Sequence, residues 1–469
     1  MTITRDHSAT PKSKAYSIPW RYLIPISSIG VIYGYDMGAS ASASHFLQRD
    51  FQLSNEAFST INSTVGIGLL IGSLSGGVIV NRLGRQKTLL LVAVMFTIFA
   101  LGAALANGLI MLDGCRLMIG IGIGLSTIAA PVFMAEISPS EKRGGLVGLY
   151  QISNSMGILT AYLVGFLLSP LENWRIIFGL GALPAAIVTL LLLRLPDTAW
   201  WYLLKGRVQQ AKDALKDLGF SSEETQLQIA DITISLEQTT DKLPWKESLG
   251  RLLTPPYRRA LFFVVGFGAL AKLTGINALV YYQPLIFNDM GFTGMVGTLL
   301  IPGLITLFSS FSTLMALFLV DRAGRKPLMI LGLTLMMLGD IVISCIFYTG
   351  THSSWMLGVG LLGFAMFQAG FGMSFGSMIW VYSAESLPGK LRAVGATLAL
   401  SSDFVINIFI SQFFLTLLSL AGGTAIFVGF ALMAFISIIF CIRLAPETKG
   451  RPLDDIQHYW EQGGRWSER

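Results

Sequence analysis

The chain has 469 residues, 53% of them hydrophobic and 13% charged, with a mean hydropathy of +0.64. Soluble domains carry about 25% charged residues, so a soluble globular protein is excluded and an integral membrane protein is indicated. The net charge of +6 falls mostly in loops between apolar stretches, where it reports orientation in a bilayer rather than nucleic-acid binding.

Residues 1–20 are polar and basic with no apolar run, so they read as a tail, and no cleaved signal peptide is expected. Apolar segments follow at 21–43, 57–80, 88–106, 109–135, 146–169 and 174–194. Residues 195–257 form the longest polar stretch, with charged amphipathic patterns that predict short helices at the cytoplasmic surface. Six more apolar segments lie at 259–288, 295–320, 327–349, 355–383, 393–420 and 423–444, and residues 445–469 form a polar tail. All are helix-length, unlike the roughly 10-residue alternating strands of a membrane barrel. The expected fold class is all-α integral membrane, with twelve transmembrane helices in two six-helix pseudo-symmetric halves, 21–194 and 258–444.

The loops alternate in charge. Arg82, Arg85, Lys87, Lys142, Arg143, Arg322, Arg325, Lys326, Lys390 and Arg392 follow the even segments, whereas the loops after segments 7, 9 and 11 have no Lys or Arg. Positive loops stay inside, which puts both termini and the 195–257 region in the cytoplasm, with a bacterial inner membrane expected. The halves also repeat: NRLGRQK at Asn81–Lys87 recurs as DRAGRKP at Asp321–Pro327, and Glu136–Arg143 recurs as Glu385–Arg392. Repeated halves are a mark of secondary transporters, whose substrate site lies between them.

The stretch Cys115–Gly145 stands out. Arg116 opens an uncharged run from Leu117 to Ala135, closed by Glu136. That run spans roughly 28 Å as a helix, close to a bilayer's hydrocarbon thickness. A charge inside a membrane helix is costly, so Arg116 wants a buried partner or a watery cavity. Cys115, Cys345 and Cys441 fit no disulfide or zinc spacing. No metal cluster, nucleophile triad or cofactor loop is visible. GIGIG at Gly120–Gly124 lies within a helix, and the sequence from Gly266 lacks the glycine a phosphate loop needs before its lysine. Neither an enzyme nor a nucleic-acid partner is expected; the expected partners are the bilayer, a small solute and a proton, with the chain a monomer.

These residues resemble the major facilitator superfamily and, within it, the sugar porters. The superfamily loop motif is similar to Gly77, Asn81-Arg82, Gly84-Arg85 and again to Asp321-Arg322, Gly324-Arg325-Lys326, with Asn81 where Asp is usual. The sugar-porter pattern is carried by Arg116, Pro131, Glu136, Pro139, Arg143 and Gly144, by Trp174-Arg175, by Pro196-Asp197 with Lys205-Gly206-Arg207, and by Pro446-Glu447-Thr448-Lys449-Gly450. The resemblance implies proton coupling by Asp36 with Arg116. It also implies a cytoplasmic gating network of Arg82, Glu136, Arg143, Arg322, Glu385 and Arg392. Its implied sugar-binding residues are Gln151, Asn277, Tyr281, with Tyr282 beside it, Trp380, Phe404 and Asn407: amides that donate and accept, and aromatic faces for the ring.

Within the implied binding site the chain departs from the family at three positions. Lys272 stands where sugar porters carry the second of two glutamines, after Ala271 in place of the first, and Asp403 stands where they carry an amide. Either Lys272 and Asp403 pair across the cavity, since a lone buried charge is costly, or Lys272 binds an anionic substrate. Asp340 is a further intramembrane acid with no partner evident in sequence. The expected function is proton-coupled symport of a sugar or sugar-like polyhydroxy solute by alternating access. The alternatives are a carrier of sugar acids or other organic anions, and a receptor that senses a solute without moving it. A receptor would be expected to carry a longer signalling tail than residues 445–469.

Overall fold

The computed structural model describes residues 18–139, 143–240, 245–292, 294–350, 353–387, 391–449, 455–464 and 466. Among them no strand forms. The first half comprises α1 (Trp20–Phe51), α2 (Asn55–Leu83), α3 (Arg85–Ala104), α4 (Leu109–Ile137), α5 (Arg143–Leu168) and a pass split into α6 (Trp174–Leu180) and α7 (Ala182–Leu192). Four polar-region helices follow: α8 (Ala199–Leu204), α9 (Val208–Asp217), α10 (Ser222–Thr240) and α11 (Trp245–Leu253). The second half has α12 (Arg258–Leu273), α13 (Ile276–Asp289), α14 (Ile301–Ala323), α15 (Arg325–Thr349), α16 (Ser354–Met373), α17 (Phe375–Glu385) and α18 (Arg392–Leu444), with α19 (Asp455–Glu461) beyond.

Ten stretches of the described chain are long and apolar enough to cross a membrane, and α1 is not among them. α18 counts once there, although Gly422, at φ 77°, turns it into two passes. With α1 added and α18 crossing twice, the passes number twelve. Besides the pass split into α6 and α7, two others are broken. Thr274 ends α12, and Gly275, at φ 90°, starts α13 in a left-handed conformation that glycine adopts without strain. Ser374 interrupts the pass of α16 and α17.

Close helix approach is bought by glycine. Gly30, Gly34 and Gly38 form a stripe along α1, and a Cβ on each would lie 2.4, 1.8 and 2.7 Å from the backbone oxygens of Tyr150, Asn154 and Ile158 on α5. Only glycine permits that approach, and it fixes the rotation of α1. Asp36, two residues beyond Gly34, is thereby turned away from α5 and meets Arg116 of α4. Gly120 and Gly124 do similar work against the α2 backbone at Val65 and Leu69, which accounts for the GIGIG sequence.

The repeated loops are built alike. Gly84 (φ 102°) joins α2 to α3, and Gly324 (φ 95°) joins α14 to α15. Each following helix start, with its unsatisfied N–H groups, is capped by a distant carboxylate. Asp197 accepts from the Arg85 and Gln86 N–H groups at 3.1 and 3.2 Å. Glu447 accepts from those of Arg325 and Lys326 at 3.1 and 2.9 Å. Burial pushes the Asp197 carboxyl above its ordinary value, and backbone donors from Thr198, Arg85 and Gln86 pull the other way.

The halves meet along α2 and α18, α5 and α14, and α1 and α13. At the end opposite the basic loops the seam is sealed. Phe58, Tyr282 and Phe414 pack in sequence, with centroid distances of 6.0 and 5.4 Å, and the Tyr282 hydroxyl donates to the Ser411 carbonyl at 2.5 Å. Ser63 donates to Gln412 Oε1 at 2.6 Å, and Gln412 donates to Thr60 at 3.3 Å.

Candidate functional site

A cavity of about 910 Å³, including its open mouth, lies between the halves. α4 and α5 supply Thr127, Gln151, Asn154 and Ser155 from one side. The other half supplies Lys272, Asn277, Gln368 and Asp403. Tyr33, Phe371, Phe375 and Phe404 add aromatic faces. Amides, hydroxyls and rings are what a polyhydroxy solute needs: donors and acceptors for its oxygens, and apolar faces for its C–H surface.

The structure pairs Lys272 with Asp403. Lys272 Nζ lies 3.5 Å from Asp403 Oδ2 and donates to Asn277 Oδ1 at 3.1 Å. Asn277 Nδ2 in turn donates to Asn407 Oδ1 at 2.6 Å. Lys272 lies in the last turn of α12, where the helix's partly negative end favours a cation. Its bond to Asn277 spans the break at Thr274–Gly275. Asp403 Oδ1 is buried without a hydrogen-bond partner.

Asp36 and Arg116 form a second ion pair through Oδ1 and Nη1, with side-chain exposures of 2% and 0%. The Arg116 guanidinium also stands 5.3 Å from the centre of the Phe178 ring. Asp36 Oδ2 and two of the guanidinium nitrogens have no partner. Neither residue lines the cavity, but Met37, next to Asp36, does.

Several expected residues sit elsewhere than the sequence suggested. Tyr281 is fully buried with its hydroxyl unpartnered, and neither it nor Asn407 reaches the cavity wall. Tyr281 gives way on the wall to Asn277 and Val280 of the same helix, and Asn407, on α18, stands behind Asn277, whose Nδ2 donates to it. At the basic end, Glu136 meets Arg85 rather than Arg82, at 2.6 Å, and accepts from the Thr198 hydroxyl at 2.5 Å. Arg82 and Arg322 are exposed. Arg85 follows Gly84 directly, so the turn aims it inward at α4 while Arg82, still on α2, points out. The side chains of Arg143, Trp380, Glu385 and Arg392 lie outside the described residues. Sequence reasoning missed Asn154 and Gln368, both buried on the cavity. Their signal was an amide inside an apolar helix, which also describes many packing residues.

Twelve passes in two halves around a polar cavity define a membrane carrier of the major facilitator fold. The family model for sugar (and other) transporters matches residues 22–460, and the chain belongs to that family. It is 32% identical over 466 residues to the arabinose-proton symporter of Escherichia coli (strain K12), covering 97% of each chain. It is 30% identical over 440 residues to the galactose-proton symporter of the same strain, covering 94% of each. Among solved structures, the proton:xylose symporter XylE bound to 6-bromo-6-deoxy-D-glucose matches with a TM-score of 0.78 and 26% identity, over 94% of this chain and 99% of that one.

Proposed function

We propose that this carrier moves a neutral sugar together with a proton by alternating access. The observation that carries the reading is the Asp36–Arg116 pair, buried one residue from the wall of a polar cavity between the halves. The symporters of arabinose, galactose and xylose that the chain resembles support sugar as the substrate class.

Asp36 is the proton carrier in this reading. Its Oδ1 is held by Arg116, and its Oδ2 has no protein partner. When α1 and α4 shift against each other as the cavity changes face and Arg116 is drawn away, the carboxylate is left in a dry site without its counter-charge, and Oδ2 takes a proton. When Arg116 returns, the proton leaves. Protonation is thereby tied to which way the cavity faces, and about 2.3 kcal/mol per charge per 100 mV becomes available for uphill uptake.

The sugar lies among Gln151, Asn154, Asn277 and Gln368, against Phe404 and Phe375. Tyr281 and Asn407 act from behind the wall, the latter by holding Asn277. The seal of Phe58, Tyr282 and Phe414 makes this the state closed on the outer face, with the basic loops and both termini in the cytoplasm of a cell membrane, a bacterial inner membrane being the natural setting. In this reading Glu136 and Arg85, together with Arg82, Arg143, Arg322, Glu385 and Arg392, form the latch that closes the cytoplasmic side in the opposite state. The protein works as a monomer and not as an enzyme.

The test is proton movement. In proteoliposomes containing the purified carrier and a pH-sensitive dye, adding arabinose, galactose or xylose outside should acidify the lumen at a rate that saturates with sugar. Sugar entry without proton movement would leave a facilitator. Binding without either would leave a receptor.

A further inference from the structure

The Arg116 side chain has no exposed surface, and it holds Asp36 through Nη1 alone. Its Nε and Nη2 have no partner. In the reading above, this guanidinium leaves Asp36 and returns once in every cycle. A guanidinium keeps its charge throughout. Breaking a buried pair without a replacement strands that charge, which is strongly destabilising. The cycle therefore needs a second acceptor within reach of Arg116.

The groups around the pair narrow the choice. Phe178 of α6 offers only the face of its ring. Tyr281 of α13 has a buried, unpartnered hydroxyl that interacts with both Asp36 and Arg116, and Tyr33 of α1 interacts with Asp36. Both hydroxyls are neutral and offset no charge. Asp113 is different. It stands three residues before Arg116 on α4, a spacing that puts two side chains on one helix face with Cβ atoms about 5–6 Å apart. Asp113 is half-buried, and its Oδ1 is buried without a hydrogen-bond partner. Among the described residues, Arg116 is the only charge that acts on Asp113, and the only one that acts on Asp36. Since α4 ends at the basic side with Glu136, Asp113 lies one turn outward of Arg116. The guanidinium thus stands between two carboxylates, one engaged and one vacant.

We infer that Asp113 is the alternate counter-ion of Arg116: it receives the guanidinium when Asp36 is protonated and returns it when Asp36 ionises. The inference deepens the coupling proposed above and rests on it. Asp113 is a positioning residue, since it touches no sugar and acts through Arg116. The charges balance in each state. With Arg116 on Asp113, Asp36 is neutral because it holds the proton. With Arg116 on Asp36, Asp113 is the free carboxylate, and its partial exposure leaves it hydrated. That difference in exposure makes Asp36, not Asp113, the member that must take a proton when it is deserted. A rotamer change along one helix face, made as α1 and α4 shift, moves the guanidinium between them while it stays inside the protein.

The experiment is a double-mutant cycle on the purified full-length carrier, read as the unfolding temperature in detergent without sugar. Asp36→Asn and Asp113→Asn should each cost little, because the other carboxylate then balances Arg116. Together they leave the guanidinium unmatched, and the loss should be roughly twice the sum of the single losses or more. Asp113→Glu should behave as the wild type in both backgrounds. Additive losses would overturn the inference. If the double variant does not fold, the pH dependence of sugar uptake by Asp113→Asn in proteoliposomes decides. Without its second partner Arg116 stays on Asp36 and holds it ionised, so half-maximal uptake should need about tenfold more external protons than in the wild type. Asp113→Glu should restore the wild-type profile. An unchanged profile in Asp113→Asn, or the same displacement in Asp113→Glu, would overturn the inference. Uphill accumulation by Asp36→Asn equal to that of the wild type would instead overturn the coupling reading, which the unfolding cycle, made without sugar or gradient, does not use.

Discussion

Asp36–Arg116 in the first half and Lys272–Asp403 in the second are both acid–base pairs buried inside the spans, and they differ in what each leaves open. The first is shut away, with exposures of 2% and 0%, a guanidinium against Phe178 and no face on the cavity. The second has 15% and 4% exposure, a longer contact of 3.5 Å and both members on the cavity wall. A sealed pair changes state only when helices move, which suits a group that reports conformation. A pair with both members on the wall stands where it meets whatever enters the cavity. In the proposed reading the sealed pair couples to the proton, while the second pair stands on the wall that the solute meets.

Removing one partner from each pair is the strongest way to test that division. Arg116→Leu leaves Asp36 uncompensated in a closed site, and breaking such a pair costs about 3–5 kcal/mol. It should produce the largest loss of thermal stability of any single change discussed here, measured by fluorescence-detected unfolding in detergent. A small loss would mean that Asp36 is already neutral in this state.

Lys272→Gln and Asp403→Asn should each destabilise the carrier more than the double variant does. Contacting residues of this kind show coupling of roughly 0.5–3 kcal/mol. A double-mutant cycle on the unfolding temperature reads it, and additive losses would separate the two residues.

Gly84→Ala serves as the control, since it touches neither pair. Its new Cβ would lie 2.0 Å from Asp197 Oδ2 on a backbone at φ 102°. The strain should cost about 1–3 kcal/mol. Sugar affinity and proton coupling should be unchanged once the protein is cooled below its new transition. A change in coupling would show that the loop feeds into the Asp36 pair.

Gln412→Ala should have the smallest effect on stability. It removes the bonds to Ser63 and Thr60 across the seam, each contributing about 0.5–1.5 kcal/mol. The population should shift toward the state open at that end, read by labelling a cysteine introduced beside the seam. Unchanged labelling would leave the aromatic seal as the sole lock.

Much of this was legible in the chain. Apolar length, alternating loop charge and the repeated loop sequences carry the twelve passes and two halves, because a bilayer imposes those patterns directly. That Arg116 needs a buried partner was readable because an isolated charge in lipid demands one; that the partner is Asp36 came with the family resemblance, and pairing of Lys272 with Asp403 was one of two readings that the cost of a lone buried charge left open. What was not legible depends on rotation and breaks. The Thr274–Gly275 break decides that Asn277 faces the cavity while Tyr281 does not, and nothing in INALVYYQP fixes that phase. Arg85 rather than Arg82 meets Glu136 because a positive-φ glycine stands between them. Asn154 and Gln368 stayed hidden because an amide at the wall and an amide between helices look alike in sequence.

The central claim is that Asp36 couples sugar movement to the proton. The most direct measurement compares uphill uptake and exchange in proteoliposomes containing Asp36→Asn. Uptake driven by an imposed pH gradient should fall to the level of passive equilibration, while exchange of preloaded sugar continues, since asparagine keeps the volume and cannot carry the proton. Accumulation equal to that of the wild type would contradict the account.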